Sequence, residues 1–197
     1  MNQKKTGNGL EKALIVYGTR WGGTVKVADR IGETLKSNGY SVDIVNAKDN
    51  PPSPEPYNLV VIGSGISANK WTKESIEYLK KYSSRLREKK SAFFISCGAV
   101  EKEKQEDRES DYQVMLPDIA SRYGLNPVMF GLRARGVIDL KSDFNLLDRI
   151  IVWSSKNKLR KLGIDTSKPY DFRNWKEIEN WAINLSRATL PIRLSAD

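Results

Sequence analysis

Histidine is absent from this 197-residue chain, and cysteine occurs once, as Cys97. The first absence removes a histidine-based catalytic triad and histidine ligation of zinc, iron or haem. The second removes an intramolecular disulfide and a Cys-X-X-Cys redox pair. No apolar run approaches the roughly 18–20 residues that span a bilayer. The polar start Met1–Gly9 also lacks the apolar stretch of a signal peptide. The cytoplasm is therefore the expected compartment. Chemistry, if the chain performs any, falls to carboxylates, hydroxyls, backbone amides or a bound cofactor.

Positive charge is plentiful: Lys and Arg number 33 against 24 Asp and Glu, a net charge of +9. Such a field favours anionic partners, among them nucleic acid, acidic lipid head groups and acidic proteins, and it also suits a cytosolic protein that is simply basic. No nucleic-acid motif is found, and aromatics are not interleaved with the basic residues, so a nucleic-acid partner ranks last. The 39 % of hydrophobic residues is that of an ordinary globular chain. We divide it into a polar tail over 1–11, one domain over 12–190 with a long insertion around 132–170, and a tail over 191–197.

Four short apolar runs read as strands buried on both faces: Ala13–Tyr17, Ser41–Val45, Leu59–Ile62 and Ala92–Ile95. Val128–Phe130 is a weaker fifth. Between them Val27, Ile31 and Leu35 share one face of a helix over 25–36, which Asn38-Gly39 stops. Thr72 reads as the N-cap of a helix carrying Ile76, Leu79, Tyr82 and Leu86. Asn50–Pro56 holds four prolines, so the second crossover is expected to be irregular. Strands alternating with helices predict an α/β fold with a parallel sheet. The polar stretch Glu101–Asp111 reads as solvated.

Ligands of such sheets sit outside the carboxyl ends of the strands. After the first run comes Gly18-Thr19-Arg20-Trp21-Gly22-Gly23-Thr24, opening directly into a helix. Glycines, hydroxyls and free helix N–H groups together make a phosphate cradle that needs no metal. The loop is neither a Walker A sequence nor the dinucleotide Gly-x-Gly-x-x-Gly. Gly63-Ser64-Gly65-Ile66-Ser67-Ala68 formally fits Gly-x-Gly-x-x-Ala, which keeps NAD(P) as an alternative. However, Asn69-Lys70-Trp71 precedes the cap at Thr72, so we read the segment as a loop approaching a flat ligand, with Trp71 at its rim. Ser96-Cys97-Gly98-Ala99-Val100 is the third small-residue loop. Cys97 there suits packing better than a reactive thiol.

The segment Thr19-Arg20-Trp21-Gly22-Gly23-Thr24 resembles the Ser/Thr-x-Thr-Gly-x-Thr phosphate loop of flavodoxin-like FMN proteins. Trp21 stands where short-chain flavodoxins carry a hydroxyl. The Thr19-Arg20 start, Leu147-Asp148-Arg149 and Asp171-Phe172-Arg173-Asn174-Trp175 are similar to the branch that contains menaquinone-dependent protoporphyrinogen oxidase. The resemblance runs from about Lys12 to Ala188. It implies a flavodoxin-like three-layer fold, with a five-stranded parallel sheet of order 2-1-3-4-5 and helices on both faces.

It further implies a noncovalent FMN, its phosphate on Thr19, Thr24 and the amides of Gly22 and Gly23, with Arg20 adding long-range charge. The ring would lie between Ser64, Gly65, Ile66, Ser67, Asn69 and Trp71 on one side and Ser96, Cys97, Gly98, Ala99 and Val100 on the other. Trp21 and Trp71 are candidate ring contacts. Trp175 and Trp181, in an amphipathic final helix, are expected in the core. The implied function is electron transfer with an acidic redox partner. The alternative is oxidation of a porphyrinogen with electrons passed to a membrane quinone. The basic Phe144–Leu162 segment either packs on the domain or touches an anionic membrane at its inner face.

Overall fold

The computed structural model describes residues 10–67, 69–97, 115–135, 137–138, 153, 157, 160–161, 163, 165, 170–171 and 173–190. Five strands form a parallel sheet: β1 (Glu11–Gly18), β2 (Tyr40–Asn46), β3 (Leu59–Ile66), β4 (Lys90–Cys97) and β5 (Met129–Arg135). Their order is β2-β1-β3-β4-β5, as the resemblance implies. The described helices include α1 (Val25–Ser37), α2 (Lys73–Leu86), α3 (115–122) and α4 (Trp175–Thr189).

The apolar runs of the three inner strands β1, β3 and β4 are continuous because each feeds two cores, whereas β2, expected to be buried on both faces, is an edge strand with Ser41 and Asp43 exposed. Ala13 and Ile15 of β1, Leu59 and Val61 of β3, and Ala92 and Phe94 of β4 pack into one cluster with Ile31 and Leu35 of α1 and Ile178 and Leu185 of α4. The intervening Leu14, Val16, Val60, Ile62, Phe93 and Ile95 join Leu79 and Leu86 of α2 and Leu116 and Ile119 of α3. Successive side chains on a strand point to opposite faces, so a strand covered on both sides permits no polar alternation.

The proline-rich crossover over 47–58 contains no helix among its residues. It is fastened instead by Tyr57, whose hydroxyl donates to Asp43 Oδ2 at 2.8 Å, and by Tyr78, whose hydroxyl donates to the Pro52 carbonyl at 3.2 Å. Burial and the Asp43 carboxylate push the Tyr57 phenol up to about 12.

β5 is longer than its three-residue signal. Its register against β4 shifts between Ala92 and Phe94, which pair with Met129 and Leu132. Gly131, at φ +94°, lies in that shift. The bulge interrupts the apolar pattern, which is why the sequence shows only the first half of the strand.

A two-residue antiparallel ladder was not legible in the sequence: β6 (Val137–Ile138) pairs with β7 (Tyr170–Asp171). Glu101–Asp111 lies outside the described residues, as does most of Phe144–Leu162. Within the latter, residues 153, 157, 160 and 161 are helical, and Trp153 is 66 % exposed. Trp181 is buried in the core as expected, whereas Trp175, expected there too, is only partly buried and packs at its margin.

Candidate functional site

The carboxyl end of β1 leads into the loop 19–24 and then α1. Gly22 adopts φ +78°, a left-handed turn that a side chain resists. It lets the Val25 amide donate to the Gly22 carbonyl at 3.2 Å, so the chain curls tightly before the helix begins. Thr24 is the N-cap of α1 and is 1 % exposed, yet its hydroxyl makes no capping bond to its own helix. Most capping threonines spend that oxygen on the helix. Here it is available to a ligand at the positive end of the helix dipole.

The end of β3 closes on the same place. A Cβ at Gly65 would stand 3.0 Å from Thr24 Oγ1 and 3.6 Å from the Gly18 carbonyl oxygen. Gly18 is pinned from the other side, since a Cβ there would meet Thr72 Oγ1 at 1.9 Å and Ser75 Oγ at 2.4 Å. The loops after β1 and β3 therefore touch through backbone, leaving the Thr24 hydroxyl between them.

A hydroxyl relay holds this arrangement. Ser64 Oγ accepts from the Thr72 amide at 2.8 Å. Thr72 Oγ1 meets Ser75 Oγ at 3.0 Å, and Ser75 Oγ donates to the Gly63 carbonyl at 3.0 Å. Thr72 is the N-cap of α2, as its position predicts, but its hydroxyl engages Ser75 Oγ rather than an amide. Ser64, a predicted ligand contact, is fully buried. Its side chain fixes the loop, so a ligand meets it only through backbone.

The remaining predicted residues fall as follows. Gly65, Ile66 and Ser67 are half-buried on the loop, and Asn69 is exposed in a left-handed conformation at φ +56°. Ser67 and Lys70 exchange backbone hydrogen bonds of 3.2 and 3.1 Å, which makes the loop a tight turn. Trp71 is not at the rim. It is 8 % exposed and packs edge-on against Phe93, with centroids 6.0 Å apart, because the turn carries it back under α2. Trp21 is 42 % exposed at the tip of the first loop, with the Arg20 guanidinium 5.3 Å from its ring. Ser96 and Cys97 are buried at the end of β4, with Cys97 in the core cluster on the α2 face. Thr19 and Gly23 lie in the first loop, while Gly98, Ala99 and Val100 are outside the described residues.

Beside the cradle, the structure assembles a cluster that sequence spacing does not reveal. An open groove of about 470 Å³ runs between α1 and the start of α4, lined by Lys26, Asp29, Arg30, Glu33, Asp171, Arg173 and Trp175. Arg173 forks onto Asp171, with Nε to Oδ1 at 2.7 Å and Nη2 to Oδ2 at 2.6 Å, and its amide adds a 3.0 Å bond to Oδ1. The Arg173 hydrogen bonds hold the Asp171 carboxyl below its usual value. Trp175 lies 4.3 Å from the Arg173 guanidinium and 5.5 Å from that of Arg30. The acidic and basic residues at spacing 171–173 are the signal that was present, but nothing in the sequence announces that Arg173 is buried.

No group of His, Cys, Asp or Glu suited to a metal ion occurs among the described residues. No described helix is long and apolar enough to cross a membrane. A small-residue cradle without metal ligands, at the carboxyl edge of a β2-β1-β3-β4-β5 sheet, defines a flavodoxin-type protein. The family described as Flavodoxin domain matches residues 14–162, and the chain belongs to it. That membership and the fold make it a flavoprotein of the electron-transfer class.

Among curated proteins, the chain is 26 % identical over 184 residues to protoporphyrinogen IX dehydrogenase [quinone] of Escherichia coli, covering 90 % of this chain and 96 % of that protein. A flavodoxin from the domain Archaea shares the fold, with a TM-score of 0.52, 15 % identity and coverage of 90 % and 98 % of the two chains. A flavodoxin variant of Fusobacterium nucleatum bound to flavin mononucleotide superposes with a TM-score of 0.51 at 14 % identity, covering 93 % and 100 %.

Proposed function

We propose that this chain binds FMN without a covalent bond and passes electrons between redox partners. The observation that carries the reading is the Thr24 hydroxyl: buried, unused by its own helix, and enclosed by the backbone of two loops that glycine lets meet. Thr19, Thr24 and the amides of Gly22 and Gly23 would hold the phosphate. The loop over 64–69 and the end of β4 at Ser96 and Cys97, continuing to Val100, would flank the ring. When bound, the flavin supplies one- or two-electron chemistry, and the polypeptide positions it and tunes its potential. The +9 charge suits an acidic protein as redox partner.

A second reading is supported by the relationship to the quinone-linked protoporphyrinogen dehydrogenase over nearly the whole chain. In it a porphyrinogen is oxidised at the flavin and a membrane quinone accepts the electrons. The protein then works in the cytoplasm, peripherally at the inner face of an anionic membrane. Exposed helical Trp153, followed by exposed Arg160 and Lys161, suits such a surface. Fold and cofactor do not choose the substrate.

Anaerobic mixing of the oxidised holoprotein with protoporphyrinogen, with and without a menaquinone analogue, separates the readings. Electron transfer alone predicts a flavin that stays oxidised with porphyrinogen but is reduced by a ferredoxin-type donor. Bleaching by porphyrinogen, with turnover once quinone is added, establishes the dehydrogenase.

A further inference from the structure

Three cations border the groove beside the cradle, and two of them are committed. Arg30 pairs with Glu179 at 2.7 Å and with Glu33 at 3.7 Å. Arg173, whose side chain is 3 % exposed, is locked on Asp171. Lys26 makes no ion pair among the described residues, although it shares the groove with Asp171 and acts on that carboxylate electrostatically. It lies in the first turn of α1, two residues after Thr24, and helical side chains tilt toward the helix N-terminus.

We propose that Arg173 is a positioning residue for anion binding: by occupying both oxygens of Asp171, it leaves Lys26 to face the anion held by the 19–24 loop. Asp171 cannot withdraw, because β7 is laddered to β6 at Val137. Its three hydrogen bonds from Arg173, two to Oδ1 and one to Oδ2, occupy both oxygens that Lys26 would otherwise claim. Trp175 stacks on the guanidinium and keeps the fork in place. Without the fork, Asp171 becomes an unpaired anion in the groove it shares with Lys26 and competes with the phosphate. The inference rests on the FMN reading and adds residues to it from outside the loop.

The test compares FMN with riboflavin, which has the same ring and no phosphate, in fluorescence titrations of the apoprotein. Lys26 is exposed, and exposed charge pairs are worth roughly 0.2–1 kcal/mol, so Lys26→Met is expected to weaken FMN by about 1.4- to fivefold and leave riboflavin unchanged. Arg173→Gln should do the same, and combining the two should add nothing. Arg173→Lys keeps the charge but loses the fork, giving an intermediate loss and a second route if Arg173→Gln does not fold. An unchanged FMN-to-riboflavin preference in Lys26→Met overturns the proposal by itself. So does an Arg173 variant that weakens both ligands alike, or one that weakens FMN equally in the Lys26→Met background. A wild-type protein that binds neither ligand would instead overturn the FMN reading.

Discussion

Replacing Thr24 by valine removes one oxygen from the cradle while keeping the branched shape that fills the space beneath Gly65. The structure separates its two consequences. The Thr24 hydroxyl makes no capping bond to α1, so the variant should lose less than about 0.5 kcal/mol of folding stability. A hydroxyl donated to a phosphate is a hydrogen bond to a charged group, worth about 1.5–3 kcal/mol. That converts to a loss of roughly ten- to a hundredfold in FMN affinity. Quenching of flavin fluorescence on titration with apoprotein measures the affinity, and urea unfolding measures the stability. Riboflavin affinity should be nearly unchanged. Unaltered FMN binding would place the phosphate elsewhere, and an equal loss for riboflavin would make Thr24 a ring contact or a structural residue.

Three further outcomes follow from the packing and the charges. Gly18→Ala drives a methyl group into Thr72 and Ser75, breaks their relay, and should cost about 1–3 kcal/mol in urea unfolding. An unchanged midpoint would mean that α2 yields freely. The Arg173 hydrogen bonds hold Asp171 below the ordinary aspartate value of 3.8 in the folded state, so its contribution is present above that value and is lost as pH falls through the lower folded one. Asp171→Asn should therefore be less stable than wild type at neutral pH, the two converging once pH falls below the lowered folded value of Asp171. A constant gap down to the acid limit would refute the fork. Tyr57 is raised from 10.0 to about 12, so its stabilisation is full below pH 10.0 and fades as pH rises toward 12. Tyr57→Phe should flatten that alkaline decline, and an unaltered slope would show that Tyr57 does not titrate in that range.

The sheet was legible because burial on both faces leaves its mark in every residue of a strand. Ala13–Tyr17 and Ala92–Ile95 carry no polar residue, and nothing but a doubly covered sheet uses such short runs in alternation with helices. β5 was half hidden because the bulge at Gly131 breaks the pattern. The glycines and threonines of the first loop announced a cradle, since close backbone approach and a helix start are both local in sequence.

What remained hidden depended on tertiary placement. Ser64, Thr72 and Ser75 look like unrelated hydroxyls until α2 docks on the end of β1. Trp71 sits at a loop end in sequence, but the Ser67–Lys70 turn delivers it to Phe93. Arg173 reads as one more surface cation in a basic chain. Only the fork onto Asp171, a residue held by the β6–β7 ladder, makes it a buried partner.

The visible absorption spectrum of the protein as purified, followed by identification of whatever denaturation releases, tests the central claim most directly. The account predicts the two-banded spectrum of an oxidised flavin, release of FMN rather than FAD, and uptake of added FMN by any apoprotein present. A colourless protein that takes up no FMN, or one that binds NAD(P) at the Gly63–Ala68 loop and no flavin, would contradict it.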